Sequence, residues 1–214
     1  IQHAHQKGII HRDLKHSNVL VSQIDGGPVP KVIDFGLAKS RDIGRAGDET
    51  VVTSAGQVVG TLQYMSPEQA EGHHVDTRTD IYALGVMLYK LVTGTTPVSL
   101  SSLSSQSFVR IVEVIKSVDA PRPSERIDSS TKSVDSISAL RSTKPDKLRQ
   151  CLKGDLDWVV MTAIAKDLDR RYETVQELAH EIERFLNDQE VVARPPSRSY
   201  RLKKFVRRNR SLVT

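Results

Sequence analysis

"HRDLKHSN", residues 11–18, is the stretch on which the reading of this chain turns. It places His11, Arg12, Asp13 and Lys15 in a row that ends at Asn18. A packed core has little use for so many polar side chains in eight positions. A second acid follows in "DFG", with Asp34 at its head. Each Asp taken alone fits a turn, where its side chain caps the backbone. Acid, cation and amide at fixed offsets, followed by another acid, ask instead for chemistry.

The surroundings bound that chemistry. The chain has 214 residues, 38% of them apolar, as in ordinary soluble domains. No run approaches the ~20 apolar residues of a membrane span, and "IQHAHQKG" has neither the basic head nor the apolar run of a secretory leader. Ile1 rather than Met stands first, which reads as part of a longer protein. A single cysteine, Cys151, excludes an internal disulfide framework and fits a reducing compartment. In "LRQCLKGD" it reads as a half-buried helix residue, with no neighbours that would activate a thiol.

The net charge of +5 is uneven. Arg194, Arg198, Arg201, Lys203, Lys204, Arg207, Arg208 and Arg210 crowd residues 191–214, which hold no acid, so residues 1–190 are left net acidic. Tyr200 and Phe205 lie among the cations, but no nucleic-acid-binding module is recognisable, and no specific nucleic-acid partner is expected.

Periodicity gives the organisation. Residues 1–8 read as a helix end stopped at Gly8. "NVLV" and "PKVIDFG" read as short strands joined through "SQIDGGPVP", with Gly-Gly-Pro as the turn. Residues 37–66 read as a long loop, usually a functional feature in a compact domain. "DIYALGVMLYKLVTG" (80–94), apolar nearly all round, predicts a helix buried at the centre of a helical domain. "SFVRIVEVIKSV", "DLDWVVMTAIAKD" and "YETVQELAHEIERFLND" predict further helices. The polar stretch 119–147 predicts a loop or insertion. Strands followed by helices give an α+β class, mostly α.

With "GTLQYMSPEQA" (60–70), "DIYALGV" (80–86) and "KDLDRRYET" (166–174), these blocks resemble the eukaryotic-like serine/threonine protein kinases, in order and spacing, over roughly residues 1–190. The "QYMSPEQA" wording resembles the bacterial branch. The resemblance implies the large, C-terminal lobe of the kinase fold, with a short β-hairpin region at the catalytic cleft and the small lobe missing from this chain. It implies transfer of the γ-phosphate of ATP, with Mg²⁺, to Ser or Thr hydroxyls of protein substrates in signal transduction.

The same resemblance implies residue roles. Asp13 would orient the acceptor hydroxyl, and Lys15 would reach the transferring phosphate; a Lys there resembles serine/threonine rather than tyrosine kinases. Asn18 and Asp34 would hold the metal, which prefers a few hard oxygens. Leu20 would form the floor beneath adenine, with Lys15, Asn18 and Asp34 completing the nucleotide contacts. His11 and Phe35 would pack behind the acids. Arg12 would receive an activation-loop phosphate, with Thr53 and then Thr50 as the phosphosites. Thr61 would contact Asp13 and Lys15 beside the substrate. Glu68 with Arg171, and Asp80 beneath His11 and Arg12, would be structural. His5, His73, His74 and His180 show no metal spacing and read as surface or packing residues.

Three departures stand out: His16 where the family usually has Pro, "SPE" for "APE", and Leu168 where Pro is frequent. No Gly-rich phosphate loop, strand Lys or partner Glu is present, which leaves a chain expected to be inactive alone. A non-catalytic kinase-like scaffold is the competing reading, opposed by the intact Asp13, Lys15, Asn18 and Asp34. A small-molecule phosphotransferase lacks the "SPE" segment. After Pro195 and Pro196 the tail is expected to leave the domain as a basic linker or juxtamembrane segment. Its cations at 194–210 would meet an anionic membrane surface, with the catalytic domain on the cytoplasmic face. A kinase dimer for trans-phosphorylation is a further expected partner.

Overall fold

The computed structural model of the chain describes residues 1–35, 61–98, 108–128, 138–139 and 142–208. Thr50 and Thr53 lie outside these residues, as does most of the long stretch after Phe35.

A short helix, α1 (Gln2–His5), leads through Gly8, at φ 71°, into the catalytic-type loop. A 3-10 turn at His16–Asn18 then opens a two-stranded antiparallel sheet, β1 (Val19–Ile24) and β2 (Gly27–Val32). The hairpin is longer than the sequence implied. Its register runs from Val19 opposite Val32 to Ile24 opposite Gly27, so the turn is Asp25-Gly26 and not Gly-Gly-Pro. Asp25 (φ 50°) and Gly26 (φ 80°) both take the left-handed conformation that a two-residue hairpin turn demands. Pro28 and Pro30 fit within β2 because a two-stranded sheet leaves each strand an unpaired edge.

Beyond the segment at 61–66 come α2 (Pro67–Ala70) and α3 (Arg78–Thr93), the helix of the apolar run. Gly94 ends α3 in the left-handed conformation, donating its N–H to the Lys90 carbonyl at 2.8 Å. α3 is central, as predicted: Ile81, Val86 and Tyr89 are almost wholly shielded from solvent. Next come α4 (Phe108–Ser117), α5 (Pro123–Asp128), α6 (Pro145–Leu152), α7 (Asp155–Ala163), α8 (Val175–Leu186) and α9 (Arg198–Arg208). α3 packs tightly on α7. A Cβ on Gly85 would lie 2.7 Å from Ile164 Cγ2 and 2.8 Å from Ala163 Cβ, so that crossing requires glycine. Tyr172, Leu178 and Val191 close the same cluster over Ile81 and Val159.

Three readings change. Part of 119–147 is ordered structure. In α5, Ile127 is buried, and Ser124 donates both its backbone N–H (3.0 Å) and its hydroxyl (2.7 Å) to the Asp157 carboxylate of α7. Cys151 is exposed rather than half-buried, because α6 turns Leu148 and Leu152 inward. The tail does not leave directly at Pro196. α9 returns to the domain, with Tyr200 and Lys204 buried against it. Lys204 Nζ lies 2.7 Å from Asp155 Oδ2, and Arg194 Nη1 lies 2.8 Å from Asp155 Oδ1. A basic helix docks here because α7 offers a buried acid, a partner that lies outside the tail's own sequence. Among the described residues, no helix is long and apolar enough to cross a membrane.

Candidate active site

The loop 11–18 is held from below by α3. Asp80 is wholly buried and accepts the backbone N–H of His11 at 2.8 Å and of Arg12 at 2.9 Å. Arg12 sits at φ 65°, a conformation an L side chain resists. Such a backbone costs about 1–3 kcal/mol and persists only where its surroundings fix it. The two bonds to a carboxylate are charge-assisted and supply that fixing. His5 adds a third contact, its Nε2 lying 2.7 Å from Asp80 Oδ2. Its sequence reading as a packing residue understated this, since only the fold brings α1 against α3.

His11 is buried. Its Nε2 meets the Ile33 carbonyl at 3.0 Å, and its ring lies 4.7 Å from that of Phe35. The polar loop and the end of the hairpin are thus one unit. Ile33 N–H also donates to the Asn18 carbonyl at 3.0 Å, which brings the Asp34 segment alongside Asn18.

On the open side, Lys15 Nζ donates to Asp13 Oδ2 at 3.1 Å and to Thr61 Oγ1 at 3.3 Å. Asp13, Lys15 and Thr61 therefore meet. Asn18 is buried and turns its amide nitrogen to the Asp13 carbonyl at 2.8 Å. That fixes the amide flip and presents the side-chain oxygen as the atom for a cation. Asp34 is exposed and left-handed at φ 57°. One amide oxygen and one accessible carboxylate suit Mg²⁺, which keeps water and phosphate oxygens as its remaining ligands. Among the described residues there is no cluster of three or more His, Cys, Asp or Glu that would hold a metal by itself. Leu20 and Val21, on opposite faces of β1, are both well exposed.

The segment from Thr61 to α2 is pinned at its far end. Glu68 receives Arg171 Nη1 at 2.7 Å and Nη2 at 2.8 Å, with Thr79 Oγ1 donating at 2.7 Å. Burial pushes the Glu68 carboxyl up, but the bonds and charge of Arg171 outweigh it and hold the net value below the ordinary one. Ser66, the departure in "SPE", caps α2 reciprocally with Gln69. Gln69 Nε2 then reaches the Arg12 carbonyl at 2.9 Å. A cavity of about 340 Å³ opens between the loop and this segment, walled by Asp13, Thr61, Tyr64 and Met65.

His16, the second departure, sits against Tyr64. Its Nδ1 is 3.1 Å from the Tyr64 hydroxyl, which also receives Lys90 Nζ at 3.2 Å. Lys90 can only donate, so the hydroxyl proton points to His16 Nδ1. Burial and then the nearby Lys90 push the imidazole down, and a neutral ring serves as acceptor.

The protein kinase domain family model matches residues 1–195, and the chain belongs to that family. It is 36% identical over 184 residues to the serine/threonine-protein kinase PknB of Mycobacterium tuberculosis, covering 86% of this chain and 24% of that protein. A probable serine/threonine-protein kinase of Clostridium perfringens is 33% identical over 188 residues, covering 88% of this chain and 22% of its own length. The chain thus spans under a quarter of the length of these relatives. Among solved structures, a PknI kinase domain of Mycobacterium tuberculosis superimposes with a TM-score of 0.50 at 23% identity, over 86% of this chain and 50% of that one, a likeness of fold.

Proposed function

We propose that the chain is the large lobe of a serine/threonine protein kinase, carrying the acceptor side and the metal side of phosphoryl transfer from ATP to protein hydroxyls. The observation that carries this reading is the convergence of Lys15, Asn18 and Thr61 around Asp13, with Asp13 and Thr61 also walling a cavity. Asp13 accepts the hydrogen bond of the incoming Ser or Thr hydroxyl and keeps its oxygen in line. Lys15, already bridging Asp13 and Thr61, is placed to reach the moving phosphoryl oxygens. Asn18 and Asp34 would hold Mg²⁺, which would neutralise phosphate charge when bound. Leu20 would lie under the base of the nucleotide. Phosphorylation of Thr53 or Thr50, received by Arg12, orders the activation segment, and a second kinase molecule delivers that phosphate.

The test is a pair of variants in the complete enzyme. Asp13→Asn lowers turnover about 10²–10⁴-fold with nucleotide affinity retained, whereas Asp34→Asn weakens Mg²⁺-dependent nucleotide binding as well. Equal losses of nucleotide affinity in both would refute the assignment. The 214-residue chain by itself, with no Gly-rich phosphate loop, shows no transfer.

The proposed location is the cytoplasmic face of a membrane. Its support is the acid-free basic tail, together with an α9 that turns Leu202 (64% exposed) and Val206 (37%) away from the buried Lys204. A helix with cations and an outward apolar stripe suits an anionic lipid surface.

A further inference from the structure

Hydrogen bonds join the loop 11–18 to the 61–69 segment. Lys15 meets Thr61, and the Arg12 carbonyl meets Gln69. The third contact is His16 to Tyr64, and it continues into α3 through the Tyr64 hydroxyl to Lys90. Three elements therefore meet on one phenol oxygen. The rings reinforce the contact: His16 and Tyr64 lie 5.8 Å apart, tilted by 59°, and Lys90 Nζ lies 5.8 Å from the centre of the Tyr64 ring.

Proline at position 16 could make none of these contacts, since it offers neither a ring nitrogen nor a backbone donor. Tyr64 is buried, and it walls the cavity that opens at Asp13. Where Tyr64 sits sets the width of that cavity. Its position is shared between the loop that carries Asp13 and the helix beneath.

We propose that His16 is a positioning residue which, through Tyr64 and Lys90, fixes the 61–66 segment against the catalytic loop and so sets the fit of the protein acceptor beside Asp13. His16 touches neither nucleotide nor phosphate in this assignment. Its effect falls on acceptor binding and leaves ATP binding and the protein's stability largely alone. The inference rests on the kinase reading for its consequence, but the tether itself is independent of activity.

Two measurements separate these layers. In the complete enzyme, His16→Pro and Tyr64→Phe each raise KM for a Ser/Thr peptide about fivefold, the loss of one neutral hydrogen bond, with KM for ATP and Tm little changed. The double variant is no worse than either single one, because one tether is lost in all three. His16→Gln, which can again accept from the Tyr64 hydroxyl, recovers most of the peptide KM. Unchanged peptide KM in an active enzyme, or equal changes for peptide and ATP, overturns the proposal while leaving the kinase reading standing.

Hydrogen exchange on the 214-residue chain supplies the arm that needs no activity. His16→Pro accelerates exchange of the Tyr64 and Met65 amides relative to α3. Unaltered protection there overturns the tether even if the complete enzyme proves inactive.

Discussion

Two carboxylates, Glu68 and Asp155, each hold a cation out of water, and they do different work. Glu68 binds Arg171 bidentately, and the guanidinium makes further bonds to the carbonyls of Ala165, Lys166 and Arg78 while stacking 4.9 Å from the Tyr82 ring centre. The Arg171 side chain is fully shielded. Asp155 at the edge takes two separate cations, Lys204 and Arg194, and the Arg194 side chain is 35% exposed. The first site joins α2 to the loop before α8 across the middle of the domain. The second fastens α9 to its rim. A planar fork suits a site with many fixed acceptors, whereas a point charge suits a contact that one helix can make or release.

Removing the fork should show the largest effect. Arg171→Met leaves Glu68 buried and uncompensated, and the expected loss is about 3–5 kcal/mol, read from denaturant unfolding. A loss no greater than that of Lys204→Met would erase the contrast between the sites.

Lys204→Met is expected to cost less, about 2 kcal/mol, because Arg194 still meets Asp155. The loss should be local, seen as faster hydrogen exchange in α9 with α3 unaffected. Acid sharpens the point. Burial raises the Asp155 carboxyl, but Lys204 and Arg194 outweigh it and hold it below its ordinary value. A lowered folded-state value means the stabilisation is complete above the ordinary carboxylate range, near about 4, and fades as pH falls through the lowered one. Release of α9 should follow acidification below that range, and Asp155→Asn should blunt the dependence. A pH-independent α9 in the unmodified chain would contradict the assignment.

The smallest effect is expected at an exposed pair. Arg110 and Glu113 of α4 lie 2.7 Å apart with both side chains more than half exposed. A double-mutant cycle there should give about 0.3–0.5 kcal/mol. A value matching the buried sites would mean that burial is not what separates them.

Much of the site was legible in the chain. Asp13, Lys15, Asn18, Asp34 and Thr61 are named by motif, and the local spacing of "HRDLKHSN" places the first three on one loop. The Glu68–Arg171 pair and the seat of Asp80 under the loop could be named through resemblance alone; in the structure Glu68 meets Arg171, and Asp80 meets the backbone of His11 and Arg12. Tyr64 and Lys90 were missed, and so was the bond from His5 to Asp80. Nothing in their local sequence marks them, because each acts on a residue that the chain brings near only after folding. His16 did leave a signal, as a departure where proline is usual, but a departure does not say what it touches. The hairpin turn was misplaced by the strong Gly-Gly-Pro signal, although Asp-Gly at 25–26 was the better turn pair.

The sequence by itself determined the helical interior and the loop chemistry. An all-round apolar run must be buried, and charged groups at fixed offsets on one loop stay together in any fold that keeps the loop. Tertiary structure decided the rest. The basic tail looked unneutralised because its partner, Asp155, lies far upstream. The left-handed backbone at Arg12 and its seat on Asp80 appear only in the fold. Pairings between residues distant in the chain depend on how helices cross, and that is set by packing at contacts such as Gly85 against Ala163.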